Sequence, residues 1–182
     1  MKYVDSVILK NKKFKIYRIN QFEVPIFKKL HLEIIKDVPS EFDSPYNYSR
    51  YKEDIKLGND LIFVMYSDKN PVAYGRISFR KADSKNINGL VKHYGINKKE
   101  LTKVCEIDGV GVISKFRGYG IQDYFLKFRE NYMKDKGYKY LFTATHPKNK
   151  YSLNNIIKNG YQKQKLYKNY KGVDRLLFKK TI

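Results

Sequence analysis

The stretch VISKFRGYGIQDYF, residues 112–125, passes from an apolar segment through two glycines into a second apolar-periodic segment. Beyond the glycines, Ile121, Phe125, Phe128 and Tyr132 recur at i, i+4, i+7 and i+11, and Gly137 ends the pattern, which predicts a helix. Before them, CEIDGVGVI (105–113) reads as a strand. Backbone amides at the start of a helix lack intrahelical partners, and the aligned peptide dipoles favour one anion there by about 0.3–1 kcal/mol. Gly118 and Gly120 carry no Cβ, so a phosphate can approach the main chain. Arg117 adds a cation of fork geometry. Strand, Arg-Gly turn and helix are therefore the parts a diphosphate needs, although a plain strand-to-helix turn uses the same glycines. Two familiar phosphate loops fail: after Gly118 and Gly120 the third glycine position of G-x-G-x-x-G holds Asp123, after Gly109 and Gly111 it holds Ser114, and no G-x-x-x-x-G-K-S/T string exists.

Outward from this stretch the periodicities alternate. KFKIYRI (13–19) reads as a first strand. The segment 20–39 reads as a helix, with Asn20 and Glu23 spaced as a capping box. Ser44 as cap, Pro45 at the first helical position and Gly58 past the end frame a second helix. DLIFVMYSDKNPVAYGRISFRK (60–81) reads as two strands around a turn. Downstream, YKYLFTATH (138–146) is a strand, NKYSLNNIIKNG (149–160) a short helix, and YQKQKLY (161–167) and RLLFKK (175–180) two last strands. The order is β-α-α-β-β-β-α-β-α-β-β, an α/β domain with a mixed sheet. Residues 82–103 form an insert, for which a lid or an interface is the role considered. At 182 residues the chain fits one domain, 1–182, able to bury about 70% of its unfolded surface.

Bulk properties exclude several classes. No apolar run approaches the roughly 20 residues of a membrane span, and the start MKYVDSVILKNKKFK lacks the pattern of a signal peptide. A cytoplasmic protein without membrane association is expected. One cysteine, Cys105, cannot form an internal disulfide or a zinc cluster. No His/Cys/Asp/Glu cluster has ligand spacing, so no metal is expected. The formal net charge is +20. The lysines are scattered rather than gathered in one block, which reads as solubilising surface ahead of nucleic-acid binding.

The segment V-x-V-x-x-x-F-R-G-Y-G-I-Q, Val110 to Gln122, resembles motif A of the GNAT superfamily of N-acetyltransferases, which reads Arg/Gln-x-x-Gly-x-Gly/Ala after an apolar strand. Arg117 and Gly120 match; Gln122 stands where Gly or Ala is usual. ATHPKNKYSLNNIIKNGY (144–161) resembles the next family segment, with Asn149, Ser152, Gly160 and Tyr161 at its spacing. YKNYKGVDRLLFKK resembles the closing hairpin, so residues 104–180 carry the likeness. It implies a mixed, mostly antiparallel central sheet flanked by helices. It also implies acetyl-CoA as acyl donor and an amine as acceptor. Val110, Gly111 and Val112 would pair with the pantetheine arm. The turn Arg117, Gly118, Tyr119, Gly120, Ile121 and Gln122 would hold the diphosphate, with Asn149 and Ser152 nearby. Asn149 also reads as a helix cap.

Acyl transfer to an amine needs the neutral amine, and removing its proton at pH 7 costs about 4–5 kcal/mol for a pKa near 10.4. A positioned base meets that need. Strand alternation puts Glu106, Asp108, Val110 and Val112 on one face, which makes Asp108 and Glu106 the candidate bases; both also read as solvated or salt-bridged acids. The tyrosine that many relatives use to protonate the thiolate falls at Ile156 here. Tyr151 points about 140° away from that position on a helix, Tyr161 reads as packing, and Tyr167 and Tyr170 are outside candidates. His31 and His146 read as structural, His93 falls in the insert, and Cys105 reads as a small buried hydrophobe.

In the resemblance the acceptor enters beside the first two helices and the last hairpin. There Glu41, Tyr46 and Tyr48 suit a cationic amine through charge and ring contact, or form an ordinary polar loop with core tyrosines. The function expected is N-acetyl transfer from acetyl-CoA to a primary amine of a small molecule or peptide. A non-catalytic acyl-CoA-binding module of the same fold is the alternative, then a basic nucleic-acid binder; a homodimer is left open.

Overall fold

A computed structural model describes residues 1–42, 47–79, 96, 98–169 and 171–182. Among them, eight strands form one sheet: β1 (Lys2–Leu9), β2 (Lys12–Arg18), β3 (Asp60–Ser67), β4 (Asn70–Ser78), β5 (Val104–Val112), β6 (Tyr140–Thr145), β7 (Gln162–Lys168) and β8 (Asp174–Thr181). Four α-helices accompany them: α1 (Val24–Ile35), α2 (Tyr48–Lys56), α3 (Ile121–Lys134) and α4 (Lys150–Lys158). The strand order is β1-β2-β3-β4-β5-β6-β8-β7. Only β5 and β6 pair in parallel. This is the mixed, mostly antiparallel sheet the sequence implies, with one strand more than expected.

The additional strand is β1. Lys10 and Asn11, at φ 47° and 62°, make a two-residue hairpin turn that pairs Leu9 with Lys12. Its alternation is broken by a register shift between Tyr3 and Asp5, which hides it from a period-2 reading. The Asn20–Glu23 capping box forms on a short 3₁₀ turn, Gln21–Glu23, that leads into α1. Helix α2 is capped by Asn47, which accepts from the Arg50 amide at 3.0 Å; Ser44 and Pro45 lie outside the described residues. Gly58, at φ +73°, follows its end as expected.

Strand β3 shows why both faces of the sheet are covered. Ile62, Val64 and Tyr66 pack with Phe27, Leu30 and Ile34 of α1, while Phe63 and Met65 pack with Phe125 of α3. Phe63 and Phe125 are both 0% exposed, and burying each stabilises the fold by about 1.5–3 kcal/mol. The stripe predicted on α3 lies on this core, with Phe128 and Tyr132 at 5.2 and 5.1 Å from the Phe63 ring.

A parallel pair needs a crossover connection, and α3 supplies it between β5 and β6. Those two strands pair over only three positions, Val104↔Tyr140 to Glu106↔Phe142. Of the insert at 82–103, Ile96 and a 3₁₀ turn, Lys98–Lys103, are described; Ile96 and Leu101 are buried against Phe142 and Leu177. The rest of the insert lies outside the described residues. Strands β1 and β7 form the two edges of the sheet, and β7 exposes Lys163, Lys165 and Lys168. No helix among the described residues is long and apolar enough to cross a membrane.

Candidate active site

Past Glu106, β5 parts from β6 and a cleft opens, with a cavity of about 130 Å³. Asp108, Gly109 and Val110 of β5 line it, with Gln122, Leu126 and Arg129 of α3. Asn149, at the cap of α4, and Ser152, Asn155 and Ile156 within it form the facing wall; Phe42 and Arg175 stand there too.

The strand does not keep the alternation read from its sequence. Arg76 pairs with Asp108, but Gly75 pairs with Val110, so Gly109 is bulged out, at φ +50°. The extra residue reverses the faces. Glu106 and Asp108 share the side of Arg76, and Val110 and Val112 share the side of Gly75. The expectation that all four lie on one face is thus corrected. Only Asp108 of the two carboxylates lines the cleft; Glu106 sits where β5 is still paired with β6.

After the bulge the ladder is regular, and the direction of its amides follows. The Ile113 amide donates to Val72 O of β4 at 3.0 Å. By alternation the N–H groups of Val112 and Val110 point to the opposite, open edge. The Val112 carbonyl, on that same edge, accepts from Arg117 Nε at 3.3 Å.

The glycine turn follows directly. Gly118 and Gly120 both sit at φ +82°, where other residues are strained, and a Cβ at either would meet nothing within 4 Å. The turn is therefore open to an approaching group. Gly120 is the N-cap of α3 and supplies no side-chain acceptor, so the first amides of the helix are uncapped. Tyr119 packs against Phe14 and Phe116, and Ile121 is buried, which anchors the turn on both flanks. Gln122 reaches across to α4, with its Oε1 accepting from Asn155 at 2.8 Å and its Nε2 at 3.4 Å from Ser152 Oγ. Asn149 accepts from the Ser152 amide at 3.1 Å as a cap. Of the turn from Arg117 to Gln122, Gln122 lines the cleft together with Asn149 and Ser152, and the glycines lie outside its lining.

Asp108 is held by two neighbours. Arg76 Nη2 lies 3.1 Å from its carboxylate, the Gly109 amide donates to it at 2.7 Å, and its side chain is still 43% exposed. Arg76 also faces Asp60, at 3.7 Å, and bonds to the Tyr51 hydroxyl. Burial raises the Asp60 carboxyl above its ordinary range, against the attraction of Arg76. Below the unfolded value Asp60 is neutral in both states; above the raised folded value its charge must be kept buried. Wild-type stability is therefore expected to fall relative to Asp60→Asn as pH rises through that window. Melting curves of both proteins from pH 4 to 7 check this, and a pH-independent difference refutes it.

The remaining candidates are dispersed. The Tyr48 hydroxyl bonds to His31 Nδ1 at 2.7 Å, within the α1–α2 core and away from the cleft. Glu41 lies in the 3₁₀ turn Ser40–Phe42, and its carbonyl accepts from Arg175 at 2.8 Å. Tyr46 and Tyr170 lie outside the described residues, as does His93. His146 accepts from the Lys148 amide and packs on Phe42 at 5.2 Å, a structural role. Ile156 is buried in the cleft wall, and Tyr151 is 86% exposed. Burial pushes the Cys105 thiol up to about 12, so it is no thiolate at neutral pH. Sequence reading missed Arg129, 2% exposed, although its place four residues after Phe125 puts it on the buried face of α3.

Fold and cleft together define a mixed sheet with one parted parallel strand pair. The chain belongs to the acetyltransferase (GNAT) family, which residues 29–161 match, a family that binds acyl-CoA. No curated protein matches it in sequence. Among solved structures it is similar to the GNAT domain of S. lividans PAT, at TM-score 0.73 and 11% identity, over 98% of this chain and 96% of that one. It is similar to Mycobacterium smegmatis RimJ in complex with CoA-disulfide, at 0.71 and 16%, over 99% and 87%. The ribosomal-protein-S5-alanine acetyltransferase of Vibrio fischeri superposes at 0.70 and 13%, over 98% and 97%.

Proposed function

We propose that the protein transfers the acetyl group of acetyl-CoA to a primary amine of a small molecule or peptide by direct attack. The observation that carries this reading is the open edge of β5, with the Val110 and Val112 amides directed outward, beside the bare Gly118–Gly120 turn and uncapped α3. A thioester arm that lies along the edge as an added strand reaches the turn with its diphosphate. Arg117 is the cation at that junction.

The neutral amine attacks the thioester carbonyl carbon. A C–N bond forms, and the carbonyl electron pair moves to oxygen, within reach of an outward amide such as that of Val110. The intermediate collapses, the C–S bond breaks, and coenzyme A leaves as its thiolate. Asp108, directly or through water, takes the proton lost by the nitrogen. Ile156 offers no proton for the sulfur, and a thiol with a pKa near 8.5 leaves as the anion and is protonated from solvent. The acceptor enters on the side of the cleft lined by Phe42 and Arg175.

The test is a thiol-release assay with acetyl-CoA and a panel of amines, run beside thermal shifts with acetyl-CoA. The neighbours named for ribosomal-protein alanine make an N-terminal alanyl peptide a sensible member of the panel. Thermal stabilisation with amine-dependent thiol release supports the proposal. The apolar Ile156 at the cleft wall favours one other reading, an acyl-CoA-binding module; stabilisation without turnover across the panel supports that one instead. No stabilisation at all refutes both.

A further inference from the structure

We propose that Arg129 is a positioning residue for acyl transfer, acting through the bulge of β5 on both the Val110 amide and the Asp108 carboxylate. This rests on the acetyl-transfer reading above. Arg129 belongs to α3 and lines the cleft. Its Nη1 donates to three carbonyls at once: Arg76 at 2.7 Å, Asp108 at 2.9 Å and Gly109 at 3.4 Å. Its Nε donates to Phe125 O at 3.0 Å, within its own helix. Gly75 of β4 makes room, since a Cβ there would stand 3.1 Å from Phe125 Cδ1 and 3.4 Å from Arg129 Cδ.

Among the described residues Arg129 forms no ion pair, and its Nη2 has no hydrogen bond. A buried cation without a carboxylate is costly. Burial accordingly lowers its pKa to about 10, which still leaves it charged at neutral pH. Asp108 and Glu130 attract it without forming an ion pair, and its hydrogen bonds all go to peptide carbonyls, which determines what it does. A cation bonded to a peptide oxygen polarises that peptide unit and strengthens its N–H as a donor. The Gly109 carbonyl shares a peptide unit with the Val110 N–H, which points to the open edge. The Asp108 carbonyl shares one with the Gly109 N–H, which holds the Asp108 carboxylate at 2.7 Å. One guanidinium thus fixes the bulge and biases both the group facing the thioester oxygen and the group facing the amine.

The experiment compares wild type, Arg129→Met and Arg129→Lys with acetyl-CoA and an amine accepted by the wild type. It reads kcat, KM for acetyl-CoA, melting temperature, and the infrared carbonyl band of bound acetyl-CoA. In Arg129→Met, kcat is expected to fall by about tenfold or more. KM is expected to stay within about threefold, because the diphosphate turn is untouched. The bound carbonyl band should move toward its position in free solution, and Arg129→Lys should lie between the two. If Arg129→Met does not fold, Arg129→Lys and the wild-type band decide. Folded variants with wild-type kcat, a loss confined to melting temperature and KM, or a wild-type band at its solution position each overturn the proposal. Turnover by wild type together with any of these leaves acetyl transfer standing. A wild type that binds no acetyl-CoA overturns both.

Discussion

Changing Asp108 to asparagine is expected to lower kcat for amine acetylation by about 100-fold or more, while the affinity for acetyl-CoA stays near that of the wild type. Asparagine preserves the shape and the bond from the Gly109 amide but cannot take a proton. Arg76 loses one acid partner and keeps Asp60, so the local fold is retained. The end of the β5–β6 pairing at Glu106 isolates the effect. Asp108 lines the cleft and Glu106, two residues earlier, does not. Glu106→Gln is accordingly expected to change kcat by less than about threefold. Steady-state kinetics of the two variants against a single amine check the assignment; wild-type turnover by Asp108→Asn removes it.

Changing Gly111 to alanine is expected to destabilise the protein by about 1–3 kcal/mol. Intrinsic preference points the other way, because glycine inside a strand is a weak residue and almost any side chain should help. Packing outweighs preference here. A Cβ on Gly111 would stand 2.4 Å from Tyr74 Cε1 and 3.0 Å from Ile34 Cδ1. Tyr74 is 3% exposed, with Phe27 at 4.9 Å and His31 at 5.8 Å around its ring, so it has nowhere to withdraw. A fall in melting temperature of about 2–12 °C is expected. An unchanged or raised melting temperature would show that the Tyr74 ring yields.

Local features were legible from residues alone. The glycine turn, the stripe of α3 and the cap at Asn149 depend on neighbours within a few positions, and all three are found where expected. Features that depend on pairing were not. The bulge at Gly109 is defined by Gly75 and Arg76 of another strand, more than 30 residues away in sequence, so strict alternation placed Val110 and Val112 on the wrong face. Arg129 stands on the apolar face of α3, four residues after Phe125, but how a cation fits there is seen only once Gly75 leaves space for it. Tyr48 illustrates the converse: its residue type suits an amine site, yet its hydroxyl is taken by His31 inside the core.

The lysines that rim β7 bear on how the protein behaves when concentrated. An edge strand presents unpaired peptide groups that can recruit an identical edge from another copy and begin a fibril. Lys163, Lys165 and Lys168 stand along that strand, and two such edges approaching each other bring like charges together. Part of the net +20 is thereby expected to oppose edge-to-edge pairing of two copies, Lys168 less than Lys163 because it is paired with Asp174.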